Sequence, residues 1–199
     1  MKKRLVLAVL LVLAACYKPG QYPLPLGTQA LDSMDSFRNY YLQGRLCDAS
    51  LAFDQAVDLF TRLDDMCSIS DAYIQRYLFS SYAGMANKSM IEKARDFGDI
   101  GHCGTELARI LQIEEGTAPS SLSAKPNDIY RSVMLRRKAV DTRERGHIDE
   151  ALAIDRQYGW ILFTVIDLTI LKEIVQDGAE KEKIQKRIDV LSGQLQKCD

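Results

Sequence analysis

An all-α fold is predicted by three features of this chain of 199 residues. All five prolines fall in two segments, with Pro19, Pro23 and Pro25 in one and Pro119 and Pro126 in the other. Proline removes a helix hydrogen bond and clashes with the preceding turn, so the proline-free stretches can be helical throughout. Within those stretches, apolar residues recur at helical spacing. The strand signature, apolar–polar alternation bounded by turns, is absent. Two architectures fit: a solenoid of helical hairpins or an irregular α-helical bundle.

The first element is a leader. Lys2, Lys3 and Arg4 make a positive start, and Leu5 to Ala15 form an unbroken apolar run. The run is shorter than the ~20 residues a membrane-spanning helix needs, and it suits the apolar region of a secretory signal. Leu13, Ala14, Ala15 and Cys16 together resemble the lipobox of bacterial lipoprotein precursors. The resemblance implies that residues 1–15 are removed and that Cys16 is lipid-modified as the new N-terminus. Several acyl chains on Cys16 would hold the protein to a membrane, since each buried methylene contributes about 0.8 kcal/mol. In enterobacterial lipoproteins an aspartate after the cysteine favours the inner membrane. Tyr17 stands there instead, which points to the outer membrane and a periplasm-facing domain.

Residues 16–27 read as an extended Pro-rich tether. Residues 28–199 read as one all-helical domain, long enough to bury a core. Without the leader, Lys plus Arg falls from 26 to 23 against 27 acidic residues, a net charge near −4. That balance excludes general nucleic-acid binding, which needs clustered cations to replace counterions. The most apolar internal stretch, Trp160 to Val175, carries Asp167, Lys172 and Glu173, which argues against a membrane span.

The first hairpin is the clearest. Met34, Phe37 and Tyr41 share one helix face, and Gln43-Gly44-Arg45 breaks the run. Asp48 is placed to cap a second helix with Ala49, Ala52, Phe53, Ala56, Phe60 and Leu63 on its apolar face. The order Tyr40-Tyr41-Leu42-Gln43-Gly44, then Ala49, Phe53 and Ala56, resembles a tetratricopeptide (TPR) repeat from the end of its first helix through its second. Ser33, Ser36 and Phe37 depart from the start of that pattern. The resemblance implies close helix packing at the alanines and a groove lined by first-helix positions. Arg38, Asn39, Leu42 and Gln43 are then the expected partner contacts.

Farther on, Ala72 to Met85 and Ser89 to Phe97 suggest another hairpin with Gly84 and Asn87 at its bend. Leu107, Ile110 and Leu111 mark a short helix. Arg145 to Ala151 repeats the glycine-to-alanine spacing of the first hairpin, with Asp155 where the repeat resemblance would place phenylalanine. The apolar phase running from Ile148 to Ile170 predicts one long helix from about Asp149 to Gln176. Asp177-Gly178 ends it, and a charged closing helix follows with Ile184, Ile188, Leu191 and Leu195 facing inward.

Four cysteines besides Cys16 suggest two disulfides in an oxidising compartment. Cys47 and Cys67 flank a helix of nearly 20 residues, which at 1.5 Å per residue separates them by about 25–30 Å, too far for a bridge. Cys67 with Cys103 is the favoured pair, leaving Cys47 with Cys198. Metal binding is not expected: His102 and His147 are far apart and no zinc-ligand spacing occurs. Nor is a cofactor, for no phosphate-binding or dinucleotide fingerprint appears. Ser80-Ser81 and Ser120-Ser121 have no placed base, and Asp64-Asp65 reads as a solvated helix end. The basic run Arg131, Arg136, Arg137, Lys138, Arg143 and Arg145 reads as a solvated face, with an acidic partner or lipid headgroups as the alternative.

These observations predict a non-enzymatic scaffold that meets another envelope protein. Lipoproteins similar in plan act in envelope assembly, in secretion or pilus biogenesis, and in transport. The alternative is a helical protein that binds a small apolar ligand or lipid around Trp160 to Val175.

Overall fold

A computed structural model describes residues 24–115 and 128–196. Nine helices account for 83% of these residues, and there is no strand among them. They are α1 (Leu26–Leu42), α2 (Leu46–Arg62), α3 (Met66–Tyr82), α4 (Lys88–Ile100), α5 (Gly104–Glu114), α6 (Asp128–Thr142), α7 (Arg145–Tyr158), α8 (Ile161–Ile174) and α9 (Gly178–Ser192). The all-α expectation is met. Cys16 and the tether up to residue 23, Ser120-Ser121 and Cys198 lie outside the described residues.

Most helices pack on their neighbours in sequence: α1 on α2, α3 on α4, α6 on α7 and α8 on α9. In the first hairpin Ala49, Ala52, Phe53 and Ala56 are buried as the spacing requires. Small side chains let the backbones approach, and Phe37 fills the gap by meeting Phe53 and Phe79 edge-on at 5.6 and 5.8 Å. Two details differ from the sequence reading. Leu59 is buried while Leu63, at the end of α2, is 42% exposed. The helix also begins one turn earlier than a cap at Asp48 allows. Arg45 precedes Leu46 as the N-cap, and Asp48 sits in the first turn, where it accepts from Arg45 Nε at 2.8 Å.

Five of the connections share one geometry, the Schellman turn. A residue two or three past the helix end donates its N–H back to a carbonyl five residues earlier: Arg45 to Tyr40, Asp65 to Phe60, Met85 to Ser80, Cys103 to Gly98 and Trp160 to Asp155. Each has one left-handed residue before the donor, namely Gly44, Asp64, Gly84, His102 and Gly159. This turn overturns the single helix predicted across Gly159. Only Gly159, at φ +68°, and Trp160 are needed to end α7 and start α8.

Two apolar cores result. One joins α1–α5 with Ile129, Val133, Leu162 and Phe163. The other lies between α6, α7, α8 and α9 around Ala139, Ala151, Leu168 and Ile184. Helix α8 belongs to both, since it packs on α7 and α9 and also reaches α1. The end of the described chain returns to the first turn: Gln196 N–H donates to the Gly44 carbonyl at 2.9 Å. Gly44 must be glycine for two reasons. Its φ is +74°, and a Cβ there would stand 2.1 Å from a Leu195 methyl.

Candidate functional site

The two halves meet at a buried charge cluster. Ser132 and Arg136 stand one turn apart on α6, Asp155 is near the end of α7, and Asp167 is at the middle of α8. Ser132, Asp155 and Asp167 are wholly buried and Arg136 nearly so. Arg136 reaches three elements. Its Nε donates to Asp167 Oδ1, its Nη2 to Asp155 Oδ2 at 3.0 Å, and its Nη1 to the Tyr82 carbonyl at the end of α3, at 3.3 Å. Ser132 Oγ donates to Asp155 Oδ1 at 2.5 Å. The guanidinium also lies 4.6 Å over the Phe163 ring, which belongs to the first core.

This cluster corrects the reading of the α6 segment as a solvated basic face. Arg131, Arg137 and Lys138 are exposed, but Arg136 points inward. A buried arginine requires acceptors, and the two aspartates that interrupt apolar helices supply them. Two carboxylates share one cation, and the environment favours the uncharged acid. Burial pushes Asp167 up to about 8, with the Asp155 charge adding and Arg136 opposing. Burial likewise raises Asp155, against the hydrogen bonds from Ser132 and Arg136.

Beside the cluster, a cavity of about 390 Å³ opens between the α3–α4 turn, α6 and α8, lined by Tyr82, Gly84, Val133, Arg136, Ile166 and Ile170. A broader furrow of about 610 Å³ runs along the outer side of α6. Tyr130, Met134 and Leu135 form its floor, with Arg131, Arg137 and Lys138 at its rim. A third hollow, about 320 Å³, lies between the first two hairpins, where Phe37, Tyr41 and Arg76 meet Met85 and Met90.

The expected α1 contacts are not gathered in any of these hollows. Leu42 is 3% exposed and belongs to the first core, so it cannot meet a partner. Arg38 pairs with Asp35 within its own helix. Asn39 and Gln43 are exposed. From α1, Phe37 and Tyr41 line a hollow instead.

Cys67 and Cys103 form the predicted disulfide, with Cα atoms 5.5 Å apart. Glu106 stands close to both sulfurs, but sulfurs joined to each other are not thiolate ligands. Cys47 is also disulfide-bonded. Gln196 Nε2 donates to Asp48 at 2.9 Å, which brings the chain two residues short of Cys198 to the start of α2.

The cluster has no catalytic geometry. Ser132 donates to a carboxylate and no solvent reaches its hydroxyl. The position between two carboxylates that a divalent cation would take is filled by a guanidinium. No helix among the described residues is long and apolar enough to cross a membrane. No family model, no curated protein and no solved structure matches this chain.

Proposed function

We propose that the chain is a lipoprotein, held at the bacterial outer membrane by acyl chains on Cys16. Its TPR-like helical domain is a non-enzymatic scaffold that faces the periplasm and docks another envelope protein. The anchor rests on the lipobox resemblance, and the oxidising compartment is supported by the Cys67–Cys103 disulfide. The observation that carries the docking role is the outer side of α6. Met134 is 42% exposed there, beside three cations at the furrow rim. An apolar floor with a charged rim is the anatomy of a protein interface. This moves the expected contact surface from α1 to α6.

Two measurements test the reading. Cys16→Ala should abolish acylation and release the protein from membranes or leave it unprocessed. Membrane attachment of an unacylated mutant at high salt would defeat the anchor. A photo-crosslinker at Met134 should capture one envelope protein in cells, and Met134→Asp should remove that protein from the native complex. Equal crosslinking from Met134 and Asn39 would defeat the α6 surface.

A second reading, a small apolar ligand, is favoured by the cavity at Val133, Ile166 and Ile170. Its volume lies in the range of ligand pockets. Displacement of a fluorescent fatty acid analogue, abolished by Ile170→Trp, would establish it.

A further inference from the structure

The charge cluster leaves one of its acceptors without a donor. Asp167 Oδ2 is buried and no donor among the described residues reaches it. The Asp155 carboxyl lies within hydrogen-bond reach of Asp167. Two anionic carboxylates so close, with one guanidinium between them, would leave a net negative charge where water cannot follow. A single proton on one of them removes that charge and turns the orphaned acceptor into a donor.

We propose that Asp155 and Asp167 share one proton across the seam of the two cores, and that losing it loosens the α6–α7–α8 junction as a pH-sensitive latch. The inference stands apart from the proposed scaffold role. When the proton leaves to water or hydroxide, both carboxylates are anionic and face each other beside Arg136 alone. Repulsion then acts between α7 and α8, whose connection is only the Gly159 turn. Asp155 is in the last turn of α7, where the negative end of the helix dipole adds to the cost of its charge. Asp167 holds its proton up to about 8 because of burial, so release falls near the upper end of the neutral range.

The groups around the pair are accounted for on every packed element. From α6 come Ser132 and Arg136, and from the end of α3 comes Tyr82, whose ring lies under Arg137. On α8 itself Lys172 donates to Gln185 of α9. Elsewhere on α9, Lys186 pairs with Glu182 and Glu180 with Arg145, and on α1 Arg38 pairs with Asp35. These charges are spent on other partners. The latch also borders the cavity, since Arg136 and Ile166 line it.

The test uses the full chain purified in detergent. Carboxyl carbon NMR of the wild type should show one aspartate pair titrating near pH 8, and Asp167→Asn should abolish that titration, because the amide donates without ionising. The only tryptophan, Trp160, stands 6.3 Å from Phe163 beneath Arg136. Its emission should shift through the same pH range in the wild type and stay flat in Asp167→Asn. Amide protection in α8, corrected for intrinsic exchange, should fall between pH 6.5 and 9 only in the wild type. If Asp167→Asn does not fold, the wild-type titration decides alone. Titration of every aspartate below pH 5 would overturn the shared proton. A titration near pH 8 with unchanged α8 protection would overturn the latch.

Discussion

The α1–α5 half and the α6–α9 half are both helical hairpins, yet each fixes its register differently. In the first half the contacts are shape. Phe37, Tyr41, Phe53 and Phe79 interlock with tilted or edge-on rings, and small alanines set the helix spacing. In the second half the central contact is charge, because Arg136 joins α6 to α7, α8 and the end of α3. An aromatic core tolerates little change of volume and is indifferent to pH. An ionic seam adds less net stability than its Coulomb energy suggests, because desolvation offsets it. It does fix which side chains must meet, and it makes the contact responsive to protons.

The sharpest way to break this comparison is to remove one centre at a time. Phe37→Ala should cost about 3–5 kcal/mol by transfer loss and cavity formation. Arg136→Met should cost a similar ~3–5 kcal/mol, because it leaves carboxylates buried without their cation. Urea unfolding as a function of pH separates the two. The Arg136→Met loss should shrink toward acid pH as the carboxylates protonate, while the loss from Phe37→Ala should not change. The wild type carries its own pH signature. Asp167 has a folded value of about 8 against 3.8 for the free side chain. Between those values the folded state binds the proton and the unfolded state does not, so stability should fall as pH rises from about 4 to about 8 and level off above. A pH-independent Arg136→Met penalty would mean that the seam is held by packing, as the first core is.

The disulfide sharpens the contrast by loading only one side. Cys67 and Cys103 stand at the starts of α3 and α5 and close a loop of 36 residues. Chain entropy values that closure at about 3–4 kcal/mol. Cys67→Ala/Cys103→Ala should therefore lower the unfolding midpoint by about that free energy, and near-UV circular dichroism should register the loss in the aromatic region. The pH dependence assigned to Asp167 should persist unchanged in the double mutant. Loss of both together would show the halves to be one cooperative unit whose parts cannot be read separately.

Much of the first half was legible in the sequence, because its signals are local. The Gly44 break, the alanine spacing and the distance from Cys67 to Cys103 each report directly on a hairpin. The second half hid its organisation in residues whose usual place is solvent. Asp155 broke the phenylalanine pattern and Asp167 interrupted an apolar run, and both were visible as anomalies. Two aspartates on buried faces need a common partner. Ser132 and Arg136, one turn apart between Ile129, Val133 and Ala139, were the only polar pair on that face of α6. The α7–α8 boundary is hidden for a separate reason: the apolar phase runs through it unbroken, and a Schellman turn there needs only two residues outside the helices.

Those turns give the smallest expected effect and the finest test, because they recur in both halves with different residues. Gly159 is left-handed and an added Cβ would meet nothing within 4 Å. Gly159→Ala therefore isolates backbone strain and should cost about 1 kcal/mol. Gly44→Ala imposes the same strain and also drives a Cβ into Leu195, so its excess over Gly159→Ala measures how firmly the end of the chain is held on the first turn. Asp64 and Arg143 are left-handed without being glycine, at φ 56° and 57°. Replacing either by glycine relieves roughly 1 kcal/mol of strain and increases the freedom of the unfolded chain, leaving a net gain of at most about 0.5 kcal/mol. The two should not gain equally. Asp64→Gly leaves the cap intact, since Asp65 Oδ1 is the group that accepts from Ser68 N–H at 3.0 Å. Arg143→Gly also removes the exposed pair with Glu173 at 3.7 Å, which contributes little in solvent. Chemical unfolding of the two variants should place Asp64→Gly at or above Arg143→Gly, and a loss of stability in both would show that the strain is relieved by contacts around these turns.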